Sequence, residues 1–65
     1  MENDKMYLSY LWHIQHEIES VLPILEEEAS IRRSGTVEKY QFINLRANLS
    51  LLKIEIDYFI KEEMR

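Results

Sequence analysis

Gly35 is the only glycine in this 65-residue chain, and it stands near the middle with a helix-periodic stretch on either side. Its setting, Arg32-Arg33-Ser34-Gly35-Thr36, supplies basic residues for a helix C-terminus, a residue suited to positive φ, and a new N-cap in Thr36. A connection this short folds the second helix back against the first. The expected architecture is therefore all-α: one domain over residues 1–65, with helix 1 at about 4–33, a turn at Ser34–Thr36 and helix 2 at about 36–64.

The two apolar patterns agree with that turn. In helix 1, Tyr7, Leu11, Ile14, Ile18, Val21 and Leu25 alternate spacings of four and three, with Ala29 continuing the face. In helix 2, Phe42, Leu45, Leu49, Leu52, Ile56 and Phe59 do the same. Facing residues of an antiparallel pair have numbers that add to a constant. Leu25 with Leu45, Val21 with Leu49, Ile18 with Leu52, Ile14 with Ile56 and Leu11 with Phe59 all add to 70, twice the number of the glycine. Local turn chemistry and long-range pairing thus point to one hairpin. Lys39, Arg46 and Lys53 recur every seven residues beside the seam, as do Glu19 and Glu26 on helix 1, so Arg46 is expected beside Glu26 and Lys53 beside Glu19. Such exposed pairs select register more than they stabilise.

Asn3 or Asp4 is the expected N-cap of helix 1. Pro23 falls inside the pattern, where it has no N–H for the carbonyl of Glu19, so a kink is expected between Glu19 and Pro23. Ser20 could instead cap a separate helix with Pro23 in its first turn. One kinked helix is the preferred reading, because Ile14, Ile18, Val21 and Leu25 stay in phase across the proline.

Helix 2 carries more apolar residues than a hairpin needs. Opposite its seam, Tyr40, Ile43, Ala47, Leu51, Ile54 and Tyr58 form a second stripe. A domain of this size hides only about 60% of the surface of its unfolded chain, and with no cysteine it lacks disulfides, so oligomerisation is the remaining common staple. The second stripe is accordingly read as an oligomer interface that joins two hairpins in a four-helix bundle, a homodimer, with Met6, Tyr10, Ile24 and Ile31 of helix 1 suited to touch the neighbouring hairpin. Leu8 and Trp12, one turn apart and only partly covered by the seam, are the candidate site for a protein partner. Against this, Trp12 could lie over the bundle end as peripheral core, beside Phe59 or a dimer mate's Tyr58.

The remaining patterns carry little chemistry. His13, His16 and Glu17 share a helix face, yet they lack the spacing of a zincin and are read as polar surface rather than a metal site. Without a cysteine nucleophile, a glycine-rich phosphate loop or a serine triad, the chain is read as non-enzymatic and free of cofactors. The stretch from Met6 to Leu25 is too polar to span a bilayer, and the N-terminus has no secretory pattern, which places the expected protein in the cytoplasm. A net charge of −4 argues against a nucleic-acid partner. The one alternative is architectural: the hairpin resembles ROP-type dimers, which bind RNA across helix faces, and Lys39, Arg46 and Lys53 would then form the basic ribbon. The resemblance is of fold and not of motif. The function expected from the sequence is a small interaction or regulatory module acting as a homo-oligomeric helical bundle.

Overall fold

The computed structural model describes residues 5–65, and among them are two helices and no strand. Helix α1 runs Met6–Ser30 and α2 runs Val37–Glu63. They pack side by side as a rod with extents of 52 × 15 × 14 Å. Asn3 and Asp4 lie outside the described residues. The residue at the observed N-cap position, Lys5, makes no side-chain capping bond; its ammonium instead donates to the backbone oxygen of Glu63 at 3.0 Å, tying the start of α1 to the end of α2.

Helix α1 passes unbroken through Pro23. The alternative of a second helix capped by Ser20 is decided by that hydroxyl, which donates back to the carbonyl of His16 at 3.1 Å instead of accepting from a following N–H. A serine bonded this way stays within its helix. The helix stops at Ser30, short of the expected Arg33, because its last carbonyls find other partners. The Ile31 N–H donates to Glu27 and that of Arg32 to Ala29, a tightened final turn, while the Arg32 guanidinium donates to the carbonyl of Glu28 at 2.7 Å and to its carboxylate at 2.6 Å. The same guanidinium lies 4.3 Å from the centre of the Phe42 ring, a cation–π contact that joins the turn to α2.

The turn follows its sequence. Gly35 has a φ of +84°, and Thr36 caps α2 by accepting from the N–H of Lys39 at 3.2 Å while its hydroxyl donates to Arg33. A Cβ on Gly35 would meet open space, so a side chain there costs backbone strain alone. Gly35→Val is therefore expected to lower stability by about 1 kcal/mol or more, read from thermal melts. Unchanged stability would move the constraint elsewhere in the loop.

The expected register is present. Tyr7 donates to the Glu63 carboxylate at 2.7 Å, Arg46 stands 3.7 Å from Glu26, and Lys53 stands 3.3 Å from Glu19. These contacts join residues whose numbers add to 70 or 72. The hydrogen bond to Glu63, with the carboxylate's charge, raises the Tyr7 phenol above its ordinary pKa. The hydrogen bond to Glu19 raises that of Lys53, with Asp57 adding to it.

Burial along the seam is uneven. Ile18, Leu25, Ala29 and Ile56 are buried at 8% exposure or less, whereas Tyr7, Ile14, Leu45, Leu52 and Phe59, expected to be seam residues too, remain 39–47% exposed. The five share one flank. Counting about 100° per residue from Ile18 and from Ile56, Glu19, Glu26, Arg46 and Lys53 turn to one side of the interhelical plane, and Tyr7, Ile14, Leu45, Leu52 and Phe59 turn to the other. Two helices close a seam only along their line of contact, so the far half of each stripe has no neighbour.

Candidate interaction surfaces

Three surfaces stand out on the rod, each set by the angular position of its residues on a helix. The first is the outer face of α2. Tyr40, Leu51, Ile54 and Tyr58 are 61–67% exposed, Ile43 and Ala47 are also exposed, and Ile54 lies roughly opposite the buried Ile56. At the turn end this stripe continues into a shallow hollow lined by Val37, Lys39, Tyr40 and Ile43. The six residues read from the sequence as an oligomer interface therefore form one continuous exposed face on a single helix.

The second surface is the pair Leu8 and Trp12. Leu8 is half-buried and Trp12 is 52% exposed. The ring beside Phe59 is that of Tyr7, edge-on with centroids 6.1 Å apart. Trp12 instead lies edge-on to His16 at 4.0 Å and to His13 at 5.6 Å. His16 also faces Glu19, with Nδ1 3.4 Å from the carboxylate. An indole shielded mainly by its own helix loses less on truncation than a core ring. Trp12→Ala is expected to cost about 1 kcal/mol in a thermal melt, well below the ~3 kcal/mol or more of a core aromatic. A loss of the larger size would mean that the ring is covered in solution.

The third surface is the open flank between the helices, of which the sequence reading singled out only Tyr10, Ile24 and Ile31, with Met6, as residues suited to touch a neighbouring hairpin. Ile14, Glu17, Val21, Ile24 and Leu49 line one hollow along it, and Leu11, Leu52, Glu55, Ile56 and Phe59 line another nearer the termini. A signal for it was present: Tyr10, Ile14, Val21, Ile24 and Ile31 follow spacings of three, four and seven, and of these Val21 is half-buried while the other four stay 42–69% exposed.

The basic ribbon is occupied by the chain itself. Lys39 donates to the backbone oxygen of Arg32 at 3.3 Å, Arg46 pairs with Glu26, and Lys53 sits between Glu19 and Asp57 at 3.3 and 3.4 Å. Among the described residues no helix is long and apolar enough to cross a membrane.

No protein-family model matches this chain, and searches of curated proteins and of solved structures found no match.

Proposed function

We propose that this protein is a non-enzymatic interaction module that works as a homo-oligomeric helical bundle, with the outer face of α2 as its self-association surface. The observation that carries the reading is the exposure of that whole face, Tyr40, Ile43, Ala47, Leu51, Ile54 and Tyr58, on a helix whose opposite side already packs on α1. Surface area supports it. A compact monomer of 7.9 kDa exposes about 4,400 Å², while this chain exposes 5422 Å². Ala47 near the middle of the stripe lets two α2 helices approach closely.

Sedimentation equilibrium at micromolar concentration tests the reading: an oligomer is expected, and a compact stable monomer would overturn it. The nucleic-acid alternative predicts salt-sensitive binding of labelled RNA. With Lys39, Arg46 and Lys53 each engaged within the hairpin, none is expected.

A further inference from the structure

We propose that the open flank between α1 and α2 is a docking groove for an amphipathic helix of another protein, one that carries a lysine or arginine beside its apolar stripe. The inference rests on the reading of this chain as an interaction module, but it concerns a different surface from the outer face of α2.

The shape comes first. The half-exposed residues recur at seven, as Tyr7 and Ile14 on α1 and as Leu45, Leu52 and Phe59 on α2, so the unfilled space runs along the rod between two apolar walls. A groove of that form is filled by a helix laid lengthwise, its side chains spaced at i, i+3, i+4 and i+7.

The charges then select the occupant. Glu19–Lys53 and Glu26–Arg46 fix which residues stand at one level, and by the same count Glu17 of α1 is level with Glu55 of α2. Both are exposed, neither has an ion-pair partner among the described residues, and each lines one of the two hollows of the flank. They place a carboxylate on each lip of the groove. Among the described residues no lysine or arginine of either helix answers them: α1 contains none, and Lys39, Arg46, Lys53 and Lys61 of α2 turn to other sides, while the hollow beside Glu17 is also lined by His16.

A second copy of the chain is the obvious rival occupant, and these carboxylates weigh against it. Glu17 and Glu55 lie within about one turn of the middle of the rod. Two hairpins joined full-length through this flank by a two-fold axis would bring four carboxylates together at the axis with no lysine or arginine between them. Like charges so placed oppose association. A helix bearing one or two cations at that level replaces the repulsion with ion pairs while its apolar stripe covers Ile14, Val21, Leu45 and Leu52.

The test uses two fluorescein-labelled 18-residue helical peptides with the same leucine pattern, one completed with lysine and the other with glutamate. The leucine/lysine peptide is expected to bind with one site per hairpin, as read by anisotropy, and the leucine/glutamate peptide is not. The double substitution Glu17→Gln with Glu55→Gln should weaken binding about two- to thirty-fold, the span of two partly exposed ion pairs. Glu27→Gln with Glu38→Gln, which changes net charge equally at exposed sites elsewhere, should change it less than two-fold. Equal weakening by both pairs, or equal binding of both peptides, would overturn the proposal. So would tighter self-association of the Glu17→Gln, Glu55→Gln protein with no peptide binding, because the groove would then belong to a second copy. Repeating the titration on Ile54→Glu separates the two surfaces: groove binding retained in a monomer, or in a wild type that never oligomerised, leaves this proposal standing whatever becomes of the outer face of α2.

Discussion

Ile54→Glu is expected to reduce the sedimenting species to the 7.9 kDa hairpin and to lower its melting temperature by about 10 to 20 °C. Ile54 sits at the centre of the outer face of α2, 62% exposed in the single hairpin, so the substitution removes nothing from the contact between α1 and α2. Glutamate is also a good helix former, which leaves the propensity of α2 intact. The loss would fall on the interface alone, where a carboxylate without a partner is costly to bury. Coupling to stability follows from mass action. A protomer held at a hundred times its dissociation constant gains about 2.7 kcal/mol from its neighbour, and in a domain this small each kcal/mol moves the midpoint by about 4 to 8 °C. Lower mass with an unchanged melting point would show a hairpin stable by itself. Unchanged mass would place the interface on another face.

Much of the hairpin was legible because its signals are local or repeat along the chain. Gly35 and Thr36 fix the turn by backbone geometry that few other residues satisfy, and the phase of Ile14, Ile18, Val21 and Leu25 across Pro23 carried one helix through a residue that usually ends one. The partners of Arg46 and Lys53 followed from register, since in an antiparallel pair one correct contact places all the others. The Arg32 contact with Phe42 was not legible, because it depends on where α1 stops, and a helix end is set by competing bonds to a few carbonyls. The open flank was read only in part, through Tyr10, Ile24 and Ile31, and for a geometric reason. A stripe with spacings of three and four spans enough of a helix to meet two neighbours, so periodicity identifies Ile14 and Leu52 as residues to be covered without saying by which helix. Glu17 stood in view as part of a polar patch with His13 and His16. Its level with Glu55 was legible, since 17 and 55 add to 72 as the expected Glu19–Lys53 and Glu26–Arg46 pairs do, but that both glutamates edge an unfilled flank was not.

Truncating the core should expose the same division between closed and open halves of the seam. Ile56 is the one residue of α2 that α1 buries, at 7% exposure, and Ile56→Ala is expected to cost about 2 to 4 kcal/mol, the sum of lost transfer energy and the cavity left behind. For a rod whose buried core is Ile18, Leu25, Ala29 and Ile56, that is a large fraction of a stability normally no greater than about 5 to 15 kcal/mol. Leu45 belongs to the same apolar stripe but is 47% exposed, so Leu45→Ala should cost only about 1 kcal/mol when measured in parallel, at one protomer concentration, by urea denaturation. The ratio reports who covers the flank. If the groove stays wet until a partner helix arrives, Leu45→Ala remains the milder change in the free protein and becomes more costly once the leucine/lysine peptide is bound. If the two substitutions cost the same in the free protein, the flank is already dry, and the helix lying on it is supplied by another copy of this chain.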